Sequence, residues 1–234
     1  SLDMWVAVEP ALAAFESDDE IRVVVVTGAG DKAFVSGANI SQFDKLRSSA
    51  DAVAEYEKVA EGAQNALYNF PKPTVAHIKG YCIGGGLNMA LCCDIRIACE
   101  SSSFAIPAGR IGLGHRLTAF RNLITATGPA NALDIFLSAR RIAAHEAQRL
   151  GLIQHLATEE TFEKTVHEHL DRITANAPIT LRVGKHMIRR FQDMPSEIDI
   201  KKMHEMVLSC YASEDYQEGK QAFAQKRAPV FKGR

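Results

Sequence analysis

The stretch that most limits how this chain can fold is residues 80–94, GYCIGGGLNMALCCD, in which a strand-like apolar run is broken by three glycines and a helix-like run begins at once. A strand whose end abuts a helix start leaves little freedom to what lies between. Without β-carbons, Gly84, Gly85 and Gly86 reach backbone angles closed to other residues and let another group approach their N–H groups. If residues 87–93 are helical, those N–H groups lie at a helix N-terminus, where unpaired donors and the positive end of the dipole favour negative charge. Two readings stay open on these residues alone: an anion-holding helix start, or a glycine turn between two buried elements.

The surrounding chain reads as an α/β body followed by helices. Residues 21–27, IRVVVVT, form a continuous β-branched run ending in Gly28-Ala29-Gly30, expected as a strand buried on both faces. The full dinucleotide-binding glycine fingerprint and its opening helix do not follow, so that fold is rejected. Residues 33–43, AFVSGANISQF, hold a tight turn at Ser36-Gly37-Ala38-Asn39 that either exposes backbone N–H groups or only caps the next helix. Residues 50–68 carry Val53, Tyr56, Ala60, Ala63 and Leu67 at helical spacing with charged residues between them. Pro71 and Pro73 end that helix, and residues 74–78 are the next strand, in which His77 is read as a satisfied interior histidine rather than a base. Residues 94–99 read as a strand, 103–107 as an extended piece, and 118–127, 130–136 and 143–150 as helices, with Gly151 the natural residue just past the last. From residue 159 onward the segments 159–175, 179–192, 195–212 and 214–225 all read helical, and stripes such as Met203, Val207, Cys210 and Tyr211 call for burial on the chain's own core or on a second subunit. At the front, residues 1–14 read as an amphipathic helix with Met4, Val8, Leu12 and Phe15 on one stripe, an opening abrupt enough to expect something before it.

Composition excludes several classes. The chain has 234 residues, a formal net charge of −1 and 47% hydrophobic residues, an ordinary globular balance that points to neither nucleic acid nor membrane. No apolar run approaches the ~20 residues that span a bilayer, and no secretory signal opens the chain, so cytoplasm, or an organelle matrix in a eukaryote, is the expected location. Cys82, Cys92, Cys93, Cys99 and Cys210 are odd in number, sit in apolar runs and lack zinc-like spacing, so reduced core thiols and no metal are expected.

Taken together, KPTVAHIKGYCIGGGLNMALCCDIRIACESSSFAIP, the earlier AFVSGANI, the later ARRIAAHEAQRLGLI and the ending KRAPVFKGR resemble the enoyl-CoA hydratase/isomerase, or crotonase, family, in consistent order from Trp5 to Arg234. The resemblance implies a ClpP-like spiral of ββα units over residues 1–175, with the usual N-terminal hairpin apparently missing, and a helical oligomerisation region over 176–234 that builds homo-trimers or hexamers. It implies acyl-CoA thioesters as substrates, with coenzyme A part of the substrate and no separate cofactor. It also joins the two ambiguous turns: by position, the backbone N–H groups of Ala38 and Gly85 form an oxyanion hole for the thioester carbonyl, with Ala33, Ser36, Gly37, Ile40, Gly84 and Pro107 around the coenzyme and acyl chain. Lys226 and Lys232 are candidates for the adenosine phosphates.

The resemblance breaks at the acid and base. Where family hydratases carry two glutamates, this chain has Asn88 and Ala108. An amide does not accept a proton near neutral pH, and each acid or base commonly contributes ~10² to 10⁴ in rate, so the standard two-glutamate mechanism is not available. In the segment IGLGHRLTA, His115 and Arg116 replace a proline and a glycine of the usual pattern, which makes them the candidate charged or titratable groups beside the acyl chain, or else a solvated pair on a loop. Three activities follow: hydration or isomerisation of an enoyl-CoA with His115 carrying the proton and Asn88 orienting water; decarboxylation of a malonyl-type CoA, steered by Arg116; or binding of acyl-CoA without turnover.

Overall fold

The computed structural model describes residues 2–36, 50–111, 114–192 and 197–234. The chain divides into two compact units: Ser1–Phe15, Val25–Phe70 and Thr74–Val166 in one, and Glu16–Val24, Pro71–Pro73 and His167–Arg234 in the other.

In the first unit, strands alternate between two sheets as the chain advances. β1 (Val24–Thr27), β3 (Thr74–Ile78), β5 (Ile95–Cys99) and β8 (His155–Ala157) form one sheet in that order; β2 (Ala33–Val35), β4 (Tyr81–Ile83), β6 (Ser103–Ala105) and β7 (Ile142–Ala143) form the other. Neighbours β3/β5, β5/β8, β2/β4 and β4/β6 run parallel, and β6/β7 is antiparallel. A winding ββα unit explains this alternation, because each pair of consecutive strands contributes one to each sheet before a helix returns the chain. The core lies between them: Val75, Ile78, Leu87, Ile97, Phe104 and Ile106 are all fully buried.

The helices of this unit are α1 (Leu2–Ser17), α2 (Ala50–Asn69), α3 (Gly85–Cys92), α4 (Leu117–Ser138), α5 (Ala144–Arg149) and the start of α6 (Phe162–Thr174). Tyr56, Ala60, Ala63 and Leu67 are buried, as the spacing predicts for α2. α4 is kinked at Gly128 (φ 75°, ψ 162°), just before Pro129, which merges the two expected helices into one bent element. Three expectations fail locally. β1 starts at Val24 rather than residue 21, and as an edge strand it leaves Val25 and Thr27 exposed, so its β-branched run is not covered on both faces. α1 buries Leu12, with Trp5 and Val8 half-buried, while Met4 and Phe15 of the expected stripe are exposed. His77 is satisfied at both ring nitrogens, as expected, with Thr27 Oγ1 at 2.9 Å and Glu163 Oε1 at 3.0 Å, but its side chain is 16% exposed rather than fully interior.

The second unit holds the remainder of α6 with α7 (Pro178–Gln192), α8 (Glu197–Ala212) and α9 (Glu214–Gln225). Asp215, almost fully buried, receives the Lys232 N–H at 2.6 Å and the Gly233 N–H at 2.8 Å, so the last residues fold back onto α9. Lys226 and Lys232 are exposed on this tail. Between α7 and the α8–α9 region lies an open, mainly apolar hollow of about 600 Å³ lined by residues such as Val183, Met187, Tyr211 and Phe231. Cys82, Cys92, Cys93 and Cys99 are buried free thiols and Cys210 is half-buried. Among the described residues no group of His, Cys, Asp or Glu is arranged to hold a metal ion, and no helix is long and apolar enough to cross a membrane.

Candidate active site

The glycine stretch turns from β4 into α3 within one residue. Gly84 sits at φ 57°, ψ −117°, a conformation that costs side-chain-bearing residues heavily, and its N–H is tied to the Ala105 carbonyl at 2.8 Å. Its own carbonyl accepts the first helical bond, from Asn88 N–H at 3.1 Å. The N–H groups of Gly85, Gly86 and Leu87 therefore belong to the first turn, which has no residue four back in the helix to bond, and no side chain caps it. No acidic side chain occupies that turn, so its positive end is not offset by a local carboxylate.

Gly86 is required for a different reason. A β-carbon there would lie 2.2 Å from the Val35 carbonyl oxygen, so the start of α3 presses directly on β2. Ala33 pairs with Tyr81 in this sheet, and the chain leaves β2 beside the helix start through Val35 and the exposed Ser36. Gly37, Ala38 and Ile40 lie outside the described residues. On the other side, the Trp5 ring would lie 3.6 Å from a β-carbon at Gly85, and Trp5 Nε1 donates to Tyr56 Oη at 3.1 Å. Pro107 opens a short 3₁₀ turn, Pro107–Ile111, with its Cδ 4.0 Å from the corresponding position at Gly84, and Ala108 is buried.

Three of the candidate polar side chains are incompletely satisfied. Asn88, one turn into α3, is 8% exposed, and its Oδ1 is buried with no hydrogen-bond partner. His115 Nε2 and Arg116 Nη1, just before α4, are buried in the same condition. Buried polar atoms are rarely left so, because an unmade bond costs about 1–3 kcal/mol. His115 and Arg116 are thus not a solvated pair on a loop. The His115 ring is wedged against Phe120 and Phe136 of α4, at centroid distances of 4.9 and 5.5 Å. Burial, reinforced by the adjacent Arg116 charge, pushes the His115 pKa below its ordinary value, which leaves the imidazole neutral near pH 7.

Two carboxylates of α2 that sequence reasoning passed over reach the start of α4. Glu57 Oε2 lies 2.8 Å from Arg116 Nε, and Glu61 Oε1 accepts from Thr118 Oγ1 at 3.2 Å. One helical turn apart, they read in the sequence as ordinary charges on the solvent side of an amphipathic helix. Nothing in their spacing signalled a partner some sixty residues on. Lys226 and Lys232 belong to the second unit, described above by itself.

Comparison with known proteins gives the geometry its context. The profile of the Enoyl-CoA hydratase/isomerase family matches residues 3–234. The carnitinyl-CoA dehydratase of Salmonella typhi is 31% identical over 235 residues, covering 97% of this chain and 88% of its own. A Bacillus subtilis protein described as a putative enoyl-CoA hydratase/isomerase is also 31% identical, covering 100% of this chain and 89% of its own. Among solved structures, an enoyl-CoA hydratase/isomerase family protein from Hyphomonas neptunium superposes with a TM-score of 0.95 at 32% identity, covering 100% of this chain and 89% of that one. An enoyl-CoA hydratase/carnitine racemase from Magnetospirillum magneticum gives 0.93 at 34%, covering 100% and 87%. The alternating parallel sheets are the crotonase fold, and the chain belongs to the enoyl-CoA hydratase/isomerase family.

Proposed function

We propose that the protein adds water to, or removes it from, the Cα–Cβ bond of an acyl-CoA thioester, through an enolate held at the start of α3 and with His115 as the proton carrier. The observation that carries this reading is the His115 imidazole: half-buried, held by two phenylalanine rings, depressed in pKa and with a buried Nε2 that lacks a partner. A neutral imidazole with one free nitrogen takes or gives a proton near neutrality, which neither Asn88 nor Ala108 does.

The enolate follows from electrostatics. Withdrawing electrons toward the thioester oxygen makes Cα–H acidic, and preorganised N–H donors at Gly85, with Ala38 as the second by resemblance, would hold the charge that develops. One such donor is typically worth about 3–4 kcal/mol. Asn88, with its unpartnered Oδ1, would orient water or the β-substituent without exchanging a proton. The carnitinyl-CoA dehydratase relatives, whose named reaction is a dehydration, support elimination of a β-hydroxyl as the reaction class.

The test is turnover of short-chain 2-enoyl-CoA and 3-hydroxyacyl-CoA thioesters, followed by the absorbance of the conjugated thioester. Wild-type protein should interconvert them, and His115→Gln should lower kcat by about 10²- to 10⁴-fold. Unchanged kcat in that variant removes His115 from the mechanism. Binding without turnover of either thioester makes the protein an acyl-CoA-binding module instead.

A further inference from the structure

We infer that Glu57 sets the charge selectivity of the acyl pocket: by pairing with Arg116 it makes the site take neutral acyl groups and reject acyl groups that carry a carboxylate. The inference rests on the reading above for an acyl-CoA substrate and on the family resemblance for setting Arg116 beside its acyl chain.

The geometry divides the guanidinium into two parts. Its Nε side lies against Glu57, 2.8 Å from Oε2, while Nη1 is buried and makes no hydrogen bond among the described residues. Both partners are more than half shielded, with side-chain exposures of 23% for Arg116 and 30% for Glu57, so water screens their charges only partly. A lone guanidinium at this depth would be a strong attractor for a second carboxylate, preferably gripped by two parallel N–H groups. With Glu57 in place that attraction is largely cancelled, because an incoming carboxylate meets a like charge on the far side of the same guanidinium. What remains open is Nη1, with its two N–H donors, on a guanidinium whose charge already faces one carboxylate. Its natural complement is one uncharged acceptor oxygen, such as a hydroxyl. Of the other described groups nearby, Glu61, hydrogen-bonded by Thr118, adds a second negative charge that works in the same direction, and His115 is neutral near pH 7. Decarboxylation of a malonyl-type thioester, which requires a second carboxylate to be welcomed, is therefore disfavoured by Glu57.

Glu57→Gln is the appropriate change, since the amide oxygen still accepts from Arg116 while the charge is removed. The probes are pentanoyl-CoA and glutaryl-CoA, which differ by a terminal methyl against a carboxylate, with affinity measured by isothermal titration calorimetry so that no turnover is needed. Wild-type protein should bind pentanoyl-CoA at least tenfold more tightly. In Glu57→Gln the ratio should move at least tenfold toward glutaryl-CoA, and in Glu57→Gln/Arg116→Gln that shift should vanish. Arg116→Gln alone, with Glu57 unneutralised, should weaken glutaryl-CoA beyond wild type, which keeps the idea testable if the first variant does not fold. A ratio unchanged in Glu57→Gln, or a shift that persists without Arg116, overturns the inference. Hydration activity with an unmoved ratio leaves the proposed reaction standing and this inference fallen. A moved ratio in a protein that turns over no enoyl-CoA does the reverse, and failure to bind either probe removes both.

Discussion

At Gly86 a single added methyl has nowhere to go, because the nearest obstacle is the Val35 carbonyl, a backbone atom that cannot swing aside. Gly86→Ala should force α3 off β2, costing about 1–3 kcal/mol in urea-monitored stability and more in activity, since the first-turn N–H groups move with the helix. At His115 the consequence is for pH. Its folded pKa is depressed below the unfolded value, so between the two the unfolded chain binds more protons. The stability it contributes is present above about pH 6.5 and is lost as pH falls through the depressed folded pKa. Activity that needs the neutral ring should likewise persist below pH 6.5 and fall only on the acid side of that lowered value. A kcat/KM profile of wild type should show this acid limb, and His115→Gln should lack it.

Elements were legible where their period was long and unlegible where it was short. The twenty-residue α2 announced itself through Tyr56, Ala60, Ala63 and Leu67, all buried. The two-residue β7 and three-residue β8 were missed, because neither is long enough to display an alternation; they exist because β6 and β5 offer them an edge. The β1 run misled for the opposite reason: β-branched composition is shared by central and edge strands, and only pairing tells them apart. At the site, the glycines could be read directly, and the resemblance singled out Asn88, Ala108, His115 and Arg116. Glu57 could not, since its partner lies on another helix start and ion pairs leave no mark in spacing. Packing between elements also rests on one buried cation. Arg96 donates from Nε to the Leu152 carbonyl at 2.7 Å and from Nη1 to the Cys93 carbonyl at 3.0 Å, joining the end of α3 to the approach to β8. Arg96→Met should leave those carbonyls unpaired and cost roughly 2–4 kcal/mol in denaturant titrations.

On the scale of the whole molecule, the second unit has its own fastening. Glu218 receives both Nη groups of Arg227 and the Val230 N–H, which hold its carboxylate at about 2. A depressed carboxylate contributes fully above its unfolded pKa and loses that contribution progressively as pH falls from there through about 2, so the tail should stay docked on α9 down to the ordinary carboxylate range. Hydrogen exchange of residues 227–234 at about pH 5.5 should therefore match that at pH 7 once the intrinsic rates are allowed for, whereas Glu218→Gln should raise it at both. In the first unit, a spiral of short parallel strands delivers a glycine-led helix start, and the central claim is that this start stabilises a thioester enolate. Exchange of the Cα protons of a saturated acyl-CoA with solvent deuterium, followed by NMR, reads that step without requiring the rest of the reaction. The account predicts exchange catalysed by wild-type protein and reduced at least a hundredfold in His115→Gln. Absence of exchange with thioesters that demonstrably bind would contradict it.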